Sequence, residues 1–174
     1  DFSREFYNEL LADWPAILQD WQLFVTELDY GYDVGRAATT HSPLGGPLPA
    51  AGKKLKVAAD RGWQSAGVAV EAGKTYRITA SGRFQIAKQP LPWECEPNGI
   101  TLRYYQGQPL GILIASVSDP ADSGTPAALL RWQVVGLETE LTPEKAGTLY
   151  LRLNENPAGM ADNSGHADVE VRRK

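Results

Sequence analysis

A change in hydrophobic period at Lys53 is the sequence feature that most restricts how this chain can fold. From there to the end, apolar side chains tend to occupy every second position, which is the spacing of a β-strand with one buried face. The clearest stretch spans residues 75–86, where six polar residues alternate with six apolar or small ones: Tyr76, Ile78, Ala80, Gly82, Phe84 and Ile86. Shorter versions include Leu55-Val57-Ala59, Ile100-Leu102-Tyr104, Leu149-Leu151-Leu153 and Ala167-Val169-Val171.

Two continuous apolar runs add central strands to this pattern. They span Leu110–Val117 and Ala128–Val135, and the second is expected to place Trp132 in the core. Turn-forming residues separate the predicted strands, at residues 71–74, 119–120, 123–124 and 143–147. Short alternating strands at this spacing indicate a mainly β fold, an antiparallel β-sandwich of jelly-roll type covering residues 53–174.

The first 52 residues do not have this alternating pattern. Residues 1–28 have a helical apolar spacing and predict two short helices, the second starting near Pro15; their apolar residues are Phe2, Phe6, Leu10, Trp14, Ile17, Leu18, Trp21, Phe24, Val25 and Leu28. Helices so rich in aromatic residues need a surface to pack on. They either cap the sandwich or form the end of an upstream domain. Residues 29–52 are rich in glycine and proline, which predicts a linker.

Composition narrows the classes of function. The formal net charge is −4 and the only basic cluster is Arg172–Lys174, so a nucleic-acid partner is not expected. No apolar run approaches the roughly 20 residues of a membrane-spanning helix. Cys95 is the single cysteine, which excludes an intrachain disulfide and a cysteine-built zinc site. Because the sequence starts at Asp1 rather than methionine, we expect a processed piece of an extracellular or periplasmic protein.

The segment between the last two predicted strands, residues 154–165, is rich in oxygen donors. It carries two carboxylates and three side-chain amides, with two glycines: Glu155, Asp162, Asn154, Asn156, Asn163, Gly159 and Gly165. Calcium in proteins takes six to eight oxygen ligands from such groups, and a glycine lets a backbone carbonyl turn inward. The same residue types are also ordinary turn formers. On spacing alone, a calcium site and a plain turn both remain open.

The segment Leu149–Gly165, with the alternating strand after it, resembles the calcium-dependent galactophilic bacterial lectin family. Further similarities follow in order at residues 72–73, 80–82, 97–99, 111–114 and 130–132, so the resemblance covers roughly Trp63 to Val171. That family has a small galactose-binding-like jelly roll. The resemblance therefore implies a non-catalytic, calcium-dependent carbohydrate-binding module, here as a divergent domain of a larger exported protein.

Position by position, the resemblance implies a set of calcium ligands and a set of sugar contacts. The ligands would be the side chains of Glu155, Asp162 and Asn163 and the carbonyls of Gly159 and Ile86. In the family, a galactose diol completes the calcium shell, and a histidine and a glutamine from another loop hold the sugar. The corresponding stretch here, residues 94–99, has no histidine, so the sugar need not be galactose. The candidate sugar contacts are Asn156, Glu96, Asn98 and Trp93.

Two other interpretations remain open. The helices could close a larger catalytic domain, such as that of a metallopeptidase, which would make this chain an accessory domain with calcium structural or absent. Alternatively, Glu94 and Glu96, two apart on one strand, could be the carboxylates of a glycosidase. Their segment supplies no opposing partner, however, and neither His41 nor His166 is placed to serve a nucleophile. We therefore expect no catalytic site in this chain.

Overall fold

The chain is seen in a computed structural model that describes residues 2–10, 14–41, 45–119 and 127–174. The helices are α1 (Phe2–Leu10), α2 (Trp14–Glu27) and α3 (Val34–Ala37). The strands, in chain order, are β1 (Gly46–Pro47), β2 (Lys53–Ala58), β3 (Gln64–Val70), β4 (Tyr76–Ser81), β5 (Phe84–Ala87), β6 (Trp93–Cys95), β7 (Asn98–Tyr105), β8 (Gln108–Ser118), β9 (Gln133–Val134), β10 (Glu138–Leu141), β11 (Gly147–Leu153) and β12 (Ser164–Arg173).

These strands form two facing sheets. The first has the order β1-β3-β11-β8-β7, with β9 also paired to β8, and the second has the order β10-β4-β12-β5-β6, with β2 also paired to β12. Pairing is antiparallel except between β1 and β3. The main core lies between the sheets and includes Val68, Ile78, Phe84, Leu151 and Val169. The predicted antiparallel β-sandwich with an N-terminal helical segment is confirmed.

The longest alternating stretch of the sequence is divided into two strands at Gly82. This glycine has a φ of 100°, a conformation that other residues rarely adopt, and it separates β4 from β5. Tyr76 and Ile78 before the break and Phe84 and Ile86 after it are all buried. The bend keeps the apolar face toward the core while β5 pairs with β6 and with the first residues of β12.

Helix α2 covers the outer face of the first sheet. Leu23 packs there in a second apolar cluster with Trp63, Ile112, Ile114, Leu129 and Tyr150. As a result every residue of β11 is buried, including the polar Thr148 and Arg152 between its leucines. Helix α2 therefore packs on the sandwich.

Two strand predictions are wrong in detail. Ala128–Val135 is not a central strand: residues 128–130 form a 3₁₀ turn, only β9 pairs, and Trp132 lies half-buried at the edge of the outer cluster. An apolar run that covers a sheet from outside has the same composition as one inside it. Leu102 and Tyr104 are 80% and 60% exposed, because β7 is an edge strand whose register shifts after Ile100.

The predicted linker, residues 29–52, contains α3 and β1, and Thr40 makes an isolated bridge to Gln64. The start of its glycine- and proline-rich part, residues 42–44, lies outside the described residues, as do the predicted turn positions 120 and 123–124. Among the helices of the described part, none has the length and apolar character needed to cross a membrane.

Candidate metal-binding loop

The loop between β11 and β12 starts at Asn154, whose backbone and side chain both make hydrogen bonds to neighbouring strands. The backbone of Asn154 extends the pairing with β8, through bonds of 2.8 and 2.9 Å with Gly111 and Ile112. Its side-chain amide donates to the carbonyls of Tyr105 and Pro109, at 2.9 and 3.1 Å. Asn154 therefore fixes where the loop leaves the sheet.

Two acceptor oxygens are buried at the centre of the loop without a hydrogen-bond partner among the described residues. One is Oε2 of Glu155, whose other oxygen accepts from the Asn156 N–H at 3.2 Å. The second is Oδ1 of Asn163, whose amide nitrogen donates to the Ala59 carbonyl at 3.0 Å. A buried carboxylate or amide oxygen without a partner is costly, and such groups in folded proteins usually hold a proton, water or ion.

The electrostatic surroundings of Glu155 favour its neutral form. Burial is the largest effect and raises the pKa of this carboxyl to about 7. The Asn156 N–H, the Asn163 side chain and the Arg152 guanidinium lower that pKa in part, while the Asp162 carboxylate raises it. The raised pKa thus reflects mainly the burial of the Glu155 carboxyl, to which the Asp162 carboxylate adds, and a nearby positive charge would counteract both effects.

Gly159 lies directly under the Glu155 carboxylate. A β-carbon at position 159 would be 2.7 Å from Glu155 Oε1, closer than real contacts allow. The φ of Gly159 is −94°, which any residue can adopt. Glycine is therefore needed at this position because a side chain would clash with the Glu155 carboxylate, and not because of a special backbone conformation.

Strand β5 holds the far side of the loop. The Lys88 N–H donates to Oδ2 of Asp162 at 2.8 Å, and the Gln85 side chain donates to the Asp162 carbonyl at 2.6 Å. Met160, one turn earlier, is fully buried and anchors the 3₁₀ turn Met160–Asp162. Ile86 lies between Gln85 and Lys88, with its side chain in the core. Four of the five predicted calcium-ligand residues thus lie in this loop, and the fifth, Ile86, lies on the strand whose neighbouring residues bond to Asp162.

The near side of the loop is held from α2 and the residues after it, a contact that sequence reasoning missed. The buried Arg152 side chain donates to Glu27 Oε1 and to the Glu155 carbonyl, both at 2.6 Å. Asn156 donates to Asp29 Oδ2 at 2.8 Å and accepts from the Ala158 N–H at 2.9 Å. An arginine between the leucines of β11 was the available signal, since a buried arginine needs an acidic partner.

The other predicted sugar contacts lie on β6, on β7 and between these two strands. Trp93 pairs with Ala87 across β5 and β6, is half-buried, and has the Arg103 guanidinium 5.1 Å from its ring centroid. Asn98 Oδ1 accepts from the Leu137 N–H at 3.1 Å. Glu96 is exposed and bonded to Arg83. Each of these side chains therefore already has a protein partner.

The remaining reactive residue types are used in ordinary structural ways. Arg83 lies 3.1 Å from Glu96 and 3.9 Å from Glu94, so the candidate glycosidase carboxylates form an exposed ion-pair cluster. Burial raises the pKa of the Cys95 thiol to about 12. His41 contacts Asp20 at 3.0 Å, and His166 contacts Lys56 at 2.7 Å. Within the described residues, no three His, Cys, Asp or Glu side chains cluster as a metal site.

Comparison with known proteins gives a likeness of fold. No protein-family model and no curated protein sequence matches this chain. Among solved structures, the chain is similar to one described as "EclA N-terminal domain; PllA-like lectin", with a TM-score of 0.54 and 24% sequence identity. The match covers 70% of this chain and 96% of that one. The chain therefore has a lectin-like β-sandwich fold.

Proposed function

We propose that this chain is a non-catalytic carbohydrate-binding module whose loop 154–165 binds calcium. The observation that carries the proposal is the pair of buried oxygens without partners, Glu155 Oε2 and Asn163 Oδ1. Both are acceptors, so each needs a hydrogen-bond donor or a cation to satisfy it. The neighbouring Asp162 carboxylate favours the cation.

The donor set suits a hard divalent cation. Glu155, Asp162 and Asn163 would supply side-chain oxygens, and the carbonyls of Gly159 and Ile86 would complete a set made of oxygen alone, the ligand type that calcium prefers. The two carboxylates would balance the charge of the ion. A calcium ion bound there would offer its open coordination positions to the hydroxyl groups of a sugar.

The lectin part of the proposal is supported by the fold. The similar solved structure is described as a lectin, and the match covers most of both chains. Because Trp93, Asn98 and Glu96 already have protein partners, we expect a glycan to be held mainly at the loop, which carries Asn156. We leave the sugar open, and keep an extracellular or periplasmic location as part of the proposal. Calcium sites of extracellular modules typically have a Kd of about 10⁻⁴–10⁻³ M.

Calorimetric titration of the calcium-free protein with calcium, and then with a panel of monosaccharides including galactose, tests both parts. We expect calcium binding in the range above, followed by heat from at least one sugar that disappears in chelator. Glu155→Gln should abolish the calcium heat. Asp168→Asn, which removes an exposed carboxylate of β12, is the matched control and should bind as the unaltered protein does. Calcium heat without any sugar heat would leave the structural-domain interpretation, and no calcium heat at all would end the proposal.

A further inference from the structure

Helix α2 presents an apolar stripe on the side opposite the sandwich. Its buried side carries Gln19, Leu23 and Glu27. On the opposite side lie four apolar residues of the helix and the residue directly after it, all 39–60% exposed: Trp14, Ile17, Trp21, Val25 and Leu28. We call these five residues the α2 stripe. A continuous exposed patch of aromatic and aliphatic side chains is typical of an interaction surface.

The stripe carries no charge. The charged residues of α2 are Asp20 and Glu27. Both are turned toward the rest of the chain, where Asp20 contacts His41 and Glu27 contacts Arg152. A strongly basic or acidic partner would therefore meet no complementary charge on this surface. The stripe fits an uncharged apolar partner with a complementary surface.

The spacing of the stripe is symmetric about Trp21. Ile17 and Val25 lie four residues to either side, and Trp14 and Leu28 lie seven residues to either side. Two antiparallel copies of α2, related by a two-fold axis at Trp21, would therefore place Trp14 against Leu28 and Ile17 against Val25. Self-complementarity of this kind is what a two-fold dimer interface requires. The seven-residue spacing of Trp14, Trp21 and Leu28 is also that of a two-helix seam.

The area is sufficient for a modest dimer. From the exposed fractions, the five side chains offer about 500 Å² per copy, so pairing would bury about 1,000 Å² in total before any flanking contacts, the size at which specific interfaces start. We propose that a second copy of this chain covers the α2 stripe, giving an antiparallel α2–α2 dimer with a sandwich on each side.

Cysteine crosslinking tests this arrangement directly, because the native Cys95 is buried and an introduced thiol is then the reactive one. In Trp21→Cys the two thiols would meet at the axis, so oxidation should link most of the protein into dimers. Thr26→Cys is the control, exposed on the same helix but outside the stripe, and should link much less. Equal linking of the two variants would overturn the proposal.

Light scattering after size exclusion gives a second readout that needs no introduced thiol. At about 100 μM, well above the Kd of a micromolar dimer, the unaltered protein should have twice the monomer mass of 19.0 kDa. Trp21→Glu should be monomeric with an unchanged circular dichroism spectrum. Leu102→Glu, which replaces an even more exposed apolar residue, on β7, should remain dimeric. A monomeric unaltered protein, or a Trp21→Glu dimer, would contradict the proposal.

Discussion

At the residue scale, the main unfavourable interactions of the loop meet at the Glu155 carboxyl. Its carboxyl is buried, one oxygen has no partner among the described residues, and Asp162 is close enough to raise its pKa further. Removing the carboxyl from water disfavours the anion, while a bound cation would favour it. The protonation state of Glu155 should therefore depend on whether calcium is present.

We expect Glu155 to make the calcium-free protein less stable as the pH rises. The pKa is about 7 in the folded chain and 4.5 as its ordinary value. Between these values the folded state keeps a proton on Glu155 that the unfolded state has lost, so the contribution of this carboxyl to stability is greatest below pH 4.5 and falls up to pH 7, by about 3 kcal/mol. Urea unfolding in chelator at pH 5 and pH 8 measures this. Glu155→Gln should not show this fall in stability with pH. Identical pH profiles of stability for both proteins would contradict the raised pKa of Glu155.

Gly159→Ala should damage the loop through lack of space. The added methyl would meet Glu155 Oε1 at 2.7 Å and push the carboxyl from its position. We expect a loss of about 1–3 kcal/mol in unfolding free energy, typical of overpacking, and weaker calcium binding. Gly46→Ala is the matched control, since a β-carbon at position 46 meets no atom within 4 Å. Equal stability and calcium affinity of the two variants would show that the carboxyl does not lie where described.

The sequence predicted which residues of the loop carry oxygen, because oxygen content is a property of residue types. It could not predict which oxygens are already used. Asn154 and Asn98 looked equivalent to Asn163, yet they bond the backbone of β7, β8 and residue 137, while Asn163 keeps a free acceptor. That difference arises only when distant strands meet.

At the element scale, α2 and β11 depend on each other through one buried ion pair. Arg152 is held between Glu27 of the helix and the Glu155 carbonyl of the loop. The helix therefore fixes the position at which the loop starts. Alternating patterns predicted β4, β5, β11 and β12 because one face of each meets the core, but they did not show that α2 would bury the other face of β11 as well.

Glu27→Ala should be strongly destabilising, because it leaves the Arg152 guanidinium buried without a counter-charge. Breaking such a pair typically costs about 3–5 kcal/mol. Glu5→Ala, on an exposed position of α1, should change stability by no more than about 0.5 kcal/mol. Urea midpoints of the two variants compare these effects. A Glu27→Ala protein as stable as Glu5→Ala would mean that α2 does not pack on the sheet through this pair.

At the scale of the whole molecule, hydrogen bonds and packing connect loop 154–165 with both sheets and with helix α2. The loop is fastened to β5 by Gln85 and Lys88 and to the helical segment by Glu27 and Asp29. A ligand bound at the loop should therefore stabilise the entire fold. The lectin-like fold could be predicted from the sequence, whereas the covering helix required the structure.

Calcium should consequently raise the global stability, not merely order the loop. With a Kd of about 10⁻⁴–10⁻³ M, 10 mM calcium should add about 1.4–2.7 kcal/mol to the free energy of unfolding. Thermal unfolding followed by circular dichroism, with and without calcium, measures this gain, and magnesium at equal concentration controls for ionic strength. A melting temperature indifferent to calcium would argue against a site coupled to the fold.

The most direct test of the account is anomalous X-ray scattering from crystals grown with calcium. We predict one anomalous peak within the loop, at about 2.3–2.6 Å from Glu155 Oε2 and Asn163 Oδ1 and adjacent to Asp162. A well-ordered loop with no such peak, in which the Glu155 carboxyl donates its proton straight to the Asn163 oxygen, would contradict the account.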